Sequence, residues 1–546
     1  MKKNSFIEGT LIATFSIFLV KILGMVYVIP FYAIVGSQGA ALYAYAYNIY
    51  GLFLEISTAG IPNAVGKLIN ELNTLNKQEA KVRTFKLGKN ILMFISILAF
   101  IIMFFFAPEL AHLILGDLSG GNSIADVAFV IRCVSFALLI FPFLSVTRGF
   151  FQGHRVISVS SFSQVIEQFV RVLFIVVGSY IALKILHLNI TASVGIAVFG
   201  AFVGGLAAYI YVRTKLKKHE QGFRLNEEFT TKDKITNKEI IKKILKYAIP
   251  TVIISIALSI YNNVDMILIL RTMDNLGYVA KDVEFISTAI STWASKISII
   301  ITSIGLGLAP SLVTSMVEAY TLNNNQEVNR KFNQALELTF FITTPMCIGI
   351  SLLATPIWTI FYGYNPLGST ILAFCIFSPL FSNLFTISNY TLQSVNKYRY
   401  VYISAIFGIL LNTILDVPCM LLFDLIGLPS YWGATFATIL GFSSTVIIAM
   451  IILKKLLKFN YKGILKTMLD ISIPLIVMTL AVLIIKAFIP VNFTSRITCI
   501  LYVLVVSIIG ALIYFIISYK MGLINHIFGD DFLNKIKNKL KHKKEA

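Results

Sequence analysis

The chain has 546 residues, of which 57% are hydrophobic and only 13% are charged. A soluble domain carries about 25% charged residues, so this composition excludes a soluble protein and is typical of a polytopic membrane protein. The formal net charge of +20 would indicate a nucleic-acid partner in a soluble protein. Here the positions of the charges give a different explanation.

The hydropathy pattern predicts fourteen apolar spans, each long enough for a membrane helix of about 20 residues. The first seven are residues 9–35, 40–66, 88–108, 125–148, 159–184, 192–212 and 247–270. The second seven are residues 285–313, 334–358, 367–393, 400–423, 430–453, 468–489 and 497–519. The first stretch lacks a small-residue cleavage site, so we expect it to remain as a span rather than act as a cleaved signal peptide.

The basic residues lie almost entirely on one side of these spans. Residues at the ends of spans are counted with the adjoining loops. Of the 46 Lys and Arg residues, 37 then fall in the N-terminal segment, the loops that follow even-numbered spans and the C-terminal tail; 5 fall in the opposite loops and 4 inside spans. Because basic loops stay in the cytoplasm, this distribution predicts cytoplasmic termini and an even number of spans. The positive charge therefore sets the topology and attracts anionic lipids, and no nucleic-acid partner is expected.

Two short sequence echoes recur six spans apart. Pro62 near the end of span 2 and Pro310 near the end of span 8 are each followed 17 residues later by a glutamate, Glu79 or Glu327. A second echo follows spans 4 and 10. Chance similarity is the alternative, but an even separation predicts two parallel halves related by an axis along the membrane normal, with the cargo between them.

We therefore predict an all-α integral membrane fold with 14 transmembrane helices. Two six-helix bundles would be related by a pseudo-two-fold axis, two extra C-terminal helices would follow, and both termini would be cytoplasmic. The predicted domains are an N-terminal bundle, a basic cytoplasmic linker, a C-terminal bundle, helices 13 and 14, and a basic amphipathic tail, at residues 1–216, 217–246, 247–456, 457–529 and 530–546.

The chain carries no sequence signature of an enzyme. It lacks the GxxxxGK[ST] phosphate loop, the HExxH zinc motif and the GxSxG nucleophile motif, and its 6 His and 5 Cys are scattered without a CxxC pair. We expect no catalytic residue, no metal and no cofactor. Energy for transport would come from a Na⁺ or proton gradient, from the membrane potential or from the substrate gradient.

Basic side chains inside apolar spans are costly to insert, and they usually face a cavity, a partner or a substrate. Lys21, Arg132, Arg171 and Lys296 are of this kind, and all four lie in the first eight spans. This placement predicts an internal chamber for an anionic cargo. Lys296 has no acidic residue within one turn, whereas Arg132 is close enough to the outer end of span 4 to reach the interface. Arg148, at the inner end of that span, is placed to meet the phosphates of lipid headgroups or of a lipid-linked cargo.

Span 5 has the densest polar face. Gln164, Glu167, Gln168 and Arg171 recur at i, i+3, i+4 and i+7, so they project from one side of the helix. The Glu167–Arg171 pair would lower the cost of inserting this helix into the membrane, whether or not the helix lines a cavity. We favour the interpretation that this face forms the wall of a cavity.

Spans 2 and 10 carry further polar stripes. Asn48 and Glu55 share one face of span 2, and Glu55 is placed either to pair with Lys21 of span 1 or to titrate or bind a cation. Ser382 and Asn389 belong to a stripe of hydroxyls and amides along span 10, which suits sugar hydroxyls but also joins helices in membranes.

Two spans combine a carboxylate with amides. Asn262, Asn263 and Asp265 of span 7, and Asn412 and Asp416 of span 11, offer the hard oxygen ligands that suit Na⁺ or a coupled proton. We treat these residues as candidates for ion coupling.

Three segments resemble a known superfamily of membrane exporters. They are Ser-Thr-Ala-Gly-Ile-Pro at 57–62, Arg-Gly-Phe-Phe-Gln-Gly-His at 148–154 and Ser-Gln-Val-Ile-Glu-Gln-Phe-Val-Arg at 163–171. Over nearly its whole length the chain resembles the multidrug/oligosaccharidyl-lipid/polysaccharide (MOP) exporter superfamily. The segments are similar to its polysaccharide-biosynthesis branch in Gram-positive bacteria, which includes the MurJ-type lipid II flippases and SpoVB-like proteins.

The resemblance implies a flippase of the bacterial plasma membrane. It would move an undecaprenyl-pyrophosphate-linked saccharide, above all the peptidoglycan precursor lipid II, to the outer leaflet by alternating access. Lys21 and Lys296 occupy places where the family carries cavity bases, and spans 13 and 14 would form a groove for the polyprenyl tail. The implied partners are the lipid-linked saccharide, membrane lipids and the cell-wall synthesis machinery, and the chain is expected to act as a monomer.

Two other functions stay open. A cation-coupled multidrug exporter of the same superfamily would need unpaired acids in its cavity, whereas the acids Glu55, Glu167, Asp265 and Asp416 are matched here by four intramembrane bases. The other is a membrane partner of cell-wall glycan synthesis with no transport of its own.

Overall fold

The computed structural model describes residues 6–58, 60–118, 120–154, 156–219, 223, 235–489 and 493–528. Over this part of the chain all regular secondary structure is helical, which confirms the predicted all-α fold. The predicted tail at 530–546 and part of the predicted linker at 217–246 lie outside the described residues.

The described residues contain thirteen helical segments long and apolar enough to cross a membrane. The first, Phe15–Thr74, is 60 residues long and covers both of the first two predicted spans. The other twelve segments match the other twelve predicted spans one to one. The polytopic membrane class is therefore confirmed, while the count of fourteen and the side of the termini stay predictions.

The chain divides into two compact units, residues 1–296 and 297–546, and each is described by itself. The domain boundaries derived from the sequence echoes stay a prediction. The described α-helices of the first unit are α1 (Phe6–Val26), α2 (Val28–Thr58), α3 (Ile61–Thr74), α4 (Gln78–Phe105), α5 (Ala107–Leu115), α6 (Ile124–Ser135), α7 (Ala137–Gly153), α8 (Ile157–Tyr180), α9 (Ile190–Lys218), α10 (Asn237–Asn275) and α11 (Ala280–Thr288). Short π-helical segments follow α8 at Ile181–Ile185 and α11 at Ala289–Trp293.

Local sequence signals set several helix boundaries in this unit. Ser123 and Thr236 form capping boxes with Asp126 and Glu239, three residues later, at the first turns of α6 and α10. Gly36 interrupts α2 with a φ of 69°, a conformation that glycine adopts at little cost. This break falls between the first two predicted spans and explains why the sequence separates them.

Two of the segments that carry the family resemblance pack against each other. A Cβ added at Gly149 of α7 would lie 2.3 Å from the carbonyl oxygen of Pro62 in α3, and one added at Gly66 would lie 2.8 Å from the carbonyl oxygen of Gly149. Small residues let helix backbones in membranes approach this closely. The contact fixes α3, which begins after Gly60 (φ 77°) with a proline in its first turn.

The second unit begins within α12 (Ala294–Thr321) and is also entirely helical over its described residues. Its further helices are α13 (Asn325–Leu352), α14 (Ala354–Tyr362), α15 (Pro366–Cys375), α16 (Ser378–Ser394), α17 (Tyr398–Leu425), α18 (Ser430–Leu457), α19 (Lys462–Phe488), α20 (Arg496–Lys520) and α21 (Leu523–Phe528).

Two kinds of packing organise this unit. Helices α17 and α18 approach closely, since a Cβ added at Gly433 would lie 2.4 Å from the backbone nitrogen of Met420. A separate apolar core joins α13, α19, α20 and α21 and includes Phe341, Met478 and Tyr514. The Tyr514 hydroxyl donates a hydrogen bond of 2.8 Å to the carbonyl oxygen of Phe341, which ties α20 to α13.

Candidate functional site

A carboxylate held between two arginines lies at the centre of the first unit's polar residues. Arg148 Nη1 of α7 donates to Glu167 Oε2 of α8 over 2.9 Å, and Arg171 Nη2 pairs with Glu167 Oε1. The side chains of Arg148, Glu167 and Arg171 are 13%, 12% and 15% exposed, so the charges lie largely out of water. The predicted pairing of Glu167 with Arg171 is present, and Arg148 is a third member that the linear sequence did not reveal.

The two arginines retain unused donor capacity. Arg148 Nε donates to Ser163 Oγ over 2.7 Å. Arg148 Nη2 and Arg171 Nε are buried without a hydrogen-bond partner among the described residues. Buried polar groups are satisfied in most native structures, so these two donors are available to a further acceptor.

Tyr47 of α2 connects this triad to Lys296. Arg171 Nη1 donates to the Tyr47 hydroxyl over 3.2 Å. The Lys296 ammonium lies 5.9 Å from the centre of the Tyr47 ring and 5.8 Å from that of Tyr27, which is within cation–π distance. We call Arg148, Glu167, Arg171, Tyr47 and Lys296 the cationic cluster. Its three cations and one carboxylate leave a net charge of +2.

Aromatic side chains build the wall beside the cationic cluster. Tyr43 stacks on Tyr47 with ring centres 5.0 Å apart, and the indole of Trp293 lies 6.2 Å from Tyr43 and 5.7 Å from Tyr32. The hydroxyls of Tyr27 and Tyr43 are 3.2 Å apart. The sequence analysis missed this aromatic wall, because in a linear pattern Tyr27 and Trp293 resemble ordinary residues of an apolar core.

Asn48 joins α2 to the π-helical segment. Its amide nitrogen donates to Thr292 Oγ1 over 2.9 Å and to Ser291 Oγ over 3.3 Å. Asn263 of α10 donates to the backbone oxygen of Asn48 over 3.3 Å. Of the two amides predicted on this span, Asn263 reaches the polar interior, whereas Asn262 is exposed.

Lys21 and Glu55 are each half-buried but are not joined to each other. Among the ion pairs of the described residues none links them, so the structure does not show the pairing that the sequence offered as one of two alternatives. Glu55 instead faces the hydroxyl of Ser255 on α10. Lys21 lies on α1 and Glu55 on α2, and both helices pack mainly against helices other than each other. The proximity of the two helices in sequence therefore does not bring the two side chains together.

The face of α8 that carries the triad also meets α1. A Cβ added at Gly24 would lie 3.2 Å from Gln168 Nε2, so Gln168 packs close to the helix that bears Lys21. Gln164, one turn earlier, is half-buried. The predicted polar face of α8 is therefore partly a helix contact and partly the support of the triad.

Arg132 lies apart from the cationic cluster. Its Nε donates over 3.1 Å to the carbonyl oxygen of Phe104 in the last turn of α4, and its guanidinium carbon lies 6.0 Å from the Phe104 ring. The last carbonyl groups of a helix have no partner within the helix, and a basic side chain can donate hydrogen bonds to them. The structure thus gives Arg132 a contact with a helix end.

Two buried acids with oxygen-rich surroundings were predicted for ion coupling. Asp265 of α10 is 5% exposed. Asp416 of α17 is fully buried, and its Oδ1 accepts from Asn412 Nδ2 over 3.1 Å, while the same amide lies 3.3 Å from Thr438 Oγ1. Groups of three or more His, Cys, Asp or Glu side chains able to hold a metal are absent among the described residues.

The polar stripe of α16 is largely satisfied within its own unit. Asn389 donates to the Phe385 carbonyl over 3.0 Å and accepts from Ser404 Oγ over 3.4 Å, and Ser382 donates to the Pro379 carbonyl over 3.1 Å. These contacts favour the helix-joining interpretation for Asn389, which is fully buried.

Sequence reasoning also missed a buried acid near the start of span 8. Glu284 is 3% exposed, and its Oε1 accepts from the backbone nitrogen of Asn122 over 2.9 Å. The Asn122 amide nitrogen lies 3.1 Å from the other carboxylate oxygen. This contact joins α11 to the segment before α6, which are far apart in the chain, so no local pattern signals it.

An apolar groove of about 350 Å³ lies in the second unit between α13, α14, α19 and α20. Its lining includes Ile350, Met478, Val482, Val506 and Phe515. Helices α19 and α20 are the predicted spans 13 and 14, so the groove lies where the resemblance implied one.

Together these features define a multi-pass helical membrane protein with a buried cationic cluster in one unit and an apolar groove in the other. The family model for polysaccharide biosynthesis proteins matches residues 6–281, and the chain belongs to that family. It is a multi-pass protein of the bacterial plasma membrane.

Relatives extend the match over the whole chain. It is 30% identical to the protein described as lipid II flippase MurJ of Bacillus subtilis (strain 168), over 96% of this chain and 97% of that one. Its fold is similar to a MurJ structure in an inward closed conformation, with a TM-score of 0.65, 17% identity and coverage of 94% and 99%. A multidrug resistance MATE family transporter of the MOP superfamily, in an inward-facing conformation, shares the fold with a TM-score of 0.61, 13% identity and coverage of 80% and 94%. These relatives are a flippase and a transporter rather than enzymes, in agreement with the sequence analysis.

Proposed function

We propose that this protein is a flippase that moves an undecaprenyl-pyrophosphate-linked saccharide, and specifically lipid II, from the inner to the outer leaflet by alternating access. The observation that carries the proposal is the 30% identity to a lipid II flippase over 96% of the chain. Both chemical requirements of such a substrate, an anionic head and a long apolar tail, have a matching feature in the structure.

The cationic cluster fits a pyrophosphate. Glu167 neutralises only one of the two arginines that contact it. The Lys296 ammonium lies against the aromatic rings of Tyr27 and Tyr47, and none of the ion pairs among the described residues involves it. The orphaned Arg148 Nη2 and Arg171 Nε are donors for phosphate oxygens. Charge-assisted bonds from guanidinium groups to phosphate are roughly twice as strong as neutral ones.

The apolar groove fits the polyprenyl tail. Nearly all of its lining is aliphatic or aromatic, with glycines at Gly349 and Gly510 that leave room along its length. Because a polyprenyl chain is as apolar as lipid, the groove would guide it rather than bind it tightly. The head and the tail of one substrate would thus use different units of the chain.

Coupling and partners are part of the same proposal. We expect no bound cofactor, and coupling through Na⁺ or a proton at the buried acids Asp265 or Asp416, or through the membrane potential. A monomer that works beside the cell-wall synthesis machinery is the expected assembly.

The state of Glu167 argues against a multidrug exporter for organic cations. An exporter of cations needs an available carboxylate, and the carboxylate of the cationic cluster, Glu167, is held by two arginines in a region of net positive charge. The net positive charge around Glu167 repels a cationic drug and attracts a phosphate.

A depletion experiment tests the proposal in cells that depend on this protein. Depletion should accumulate lipid II on the inner leaflet, seen as loss of cleavage by an externally added enzyme that acts only on outer-leaflet lipid II. Wild-type protein should restore cleavage and Lys296→Glu should not. Lys281→Glu, the same charge change at an exposed position, is the matched control and should restore it. Accumulation of a different lipid-linked glycan, or restoration by Lys296→Glu, would contradict the proposal.

A further inference from the structure

A second basic pocket lies in the first unit and shares no residue with the cationic cluster. It has a volume of about 400 Å³ and lies between α4, α7 and α9. Three of its lining side chains are basic, namely Lys89, Arg213 and Lys217, and none of the described lining residues is acidic. Among the ion pairs of the described residues, none involves these three bases.

The pocket is built by helix geometry. Tyr209, Arg213 and Lys217 follow one another at i, i+4 and i+8, so they line one face of the last turns of α9. Lys89 comes from α4, and its ammonium lies 5.1 Å from the centre of the Phe143 ring on α7. The rings of Phe143 and Tyr209 are 5.8 Å apart, which closes the third side.

This combination of side chains suits a phosphate oxyanion. Arg213 offers a planar fork of donors for two phosphate oxygens, and the two lysines add point charges from either side. The Tyr209 hydroxyl adds a neutral donor. The pocket volume falls within the range of small-ligand sites and accommodates a glycerophosphate headgroup.

The position of the pocket favours a lipid over a soluble anion. All three of its helices belong to segments that are long and apolar enough to cross the membrane. Arg213 and Lys217 lie in the last two turns of Ile190–Lys218, and Lys89 lies at the start of the predicted apolar span 88–108. Phe143 and Leu216 line the same pocket beside the bases, which suits the apolar glycerol and acyl region next to a headgroup. The loops at these helix ends belong to the basic side of the predicted topology, where anionic lipids attract Lys and Arg.

We propose that Lys89, Arg213 and Lys217 form an accessory site for the phosphate of an anionic membrane phospholipid. The site shares no residue with the cationic cluster and does not depend on the proposed flippase function. A bound lipid bridges α4, α7 and α9 through its headgroup and so stabilises the packing of the helices that carry the cationic cluster.

The test uses the full-length protein in zwitterionic detergent and counts bound phosphatidylglycerol by native mass spectrometry over a lipid titration, with phosphatidylcholine as the neutral comparison. The pocket variant is Lys89→Gln/Arg213→Gln/Lys217→Gln. The matched control is Lys86→Gln/Lys215→Gln/Lys218→Gln, which removes the same charge from α4 and α9 outside the pocket. Because each basic residue near a membrane surface strengthens binding of anionic lipid several-fold, we expect the pocket variant to lose about tenfold or more in affinity for phosphatidylglycerol and the control about twofold or less.

Three outcomes would overturn the proposal. They are an equal loss in both variants, an unchanged affinity in the pocket variant, and displacement of the lipid by soluble pyrophosphate at equal concentration, which would assign the site to an aqueous anion. If the triple variant does not fold, Arg213→Gln/Lys217→Gln gives the same test, because both side chains are exposed. Inner-leaflet lipid II in the depletion experiment reports on flipping alone, so the two proposals fail independently.

Discussion

The guanidinium of Arg171 donates a hydrogen bond of 3.2 Å to the hydroxyl of Tyr47. The ring of the same tyrosine lies 5.9 Å from the ammonium of Lys296. One side chain therefore contacts two cations on two different helices, through two different kinds of interaction. Tyr47 holds these cations at a defined separation, although it carries no charge itself.

We expect the two functions of Tyr47 to separate by substitution. Tyr47→Phe keeps the ring and removes the acceptor for Arg171, and it should slow lipid II appearance in the outer leaflet about tenfold, since a hydrogen bond to a charged group contributes about 1.5–3 kcal/mol. Tyr47→Leu also removes the cation–π contact and should cost a further two- to fivefold or so. The exposed Tyr180→Phe is the control and should leave the rate unchanged. Equal rates for Tyr47→Phe and wild type would show that the hydrogen bond to Arg171 does not contribute, and equal rates for Tyr47→Leu as well would exclude Tyr47 from the cationic cluster.

Glu167→Gln should destabilise the first unit. The substitution leaves Arg148 and Arg171 without their shared counter-ion in a largely buried position, and breaking a buried pair in this way costs about 3–5 kcal/mol. The measurement is the thermal unfolding midpoint in detergent. Glu327→Gln is the control: Glu327 also contacts two basic residues, Arg330 and Lys331, but at the surface, where a pair contributes at most about 1 kcal/mol.

A double substitution sharpens this test. Glu167→Gln/Arg171→Gln removes one unpaired cation and should recover part of the stability that Glu167→Gln loses, as expected for residues in direct contact. Additive losses in the double variant would show that Glu167 and Arg171 act independently.

Gly349→Leu should block the apolar groove without disturbing the fold. Gly349 lines the groove, and a Cβ added there would meet no atom within 4 Å, so a leucine enters open space. We expect normal expression and unfolding midpoint with strongly reduced flipping. Gly463→Leu, at a glycine that also has free space but lies outside the groove lining, is the control. Full activity of Gly349→Leu would exclude the groove from the path of the lipid tail.

Gly149→Ala should destabilise the contact of α3 with α7. Its Cβ would lie 2.3 Å from the Pro62 carbonyl oxygen, and because that atom belongs to the backbone, the helices must separate. Overpacking of this kind costs about 1–3 kcal/mol. Gly51→Ala in α2, where a Cβ meets no atom within 4 Å, should be neutral or slightly stabilising. Thermal unfolding of the two variants gives the comparison, and equal midpoints would show that the crossing adapts.

The sequence predicted the membrane spans well because length and apolar composition are properties of each segment alone. It also predicted the Glu167–Arg171 pair, because residues four apart on one helix are neighbours in any fold. The first two predicted spans form a single helical segment, Phe15–Thr74, in the structure. Gly36, with a positive φ, marks the break between the two spans within this segment.

Contacts between helices were beyond the reach of local patterns. Arg148 joins Glu167 from a different helix, and Glu284 meets Asn122 across more than 160 positions of the chain. For the same reason the sequence could not decide whether Lys21 pairs with Glu55, since adjacency of two spans in sequence does not set which faces of the helices meet. The π-helical turn at Ala289–Trp293 also shifts the rotation of the residues that follow, including Lys296, relative to a regular helix.

The close crossing of α3 and α7 has a consequence for the charge next to it. Gly149 is pressed against the peptide of Pro62, and Arg148 is the preceding residue of the same helix. The backbone at Arg148 is therefore held in place by the contact of Gly149, the next residue, with α3. Any motion that separates α3 from α7 would move Arg148 relative to Glu167. The affinity of the cationic cluster for an anion would then depend on how closely the backbones of α3 and α7 approach.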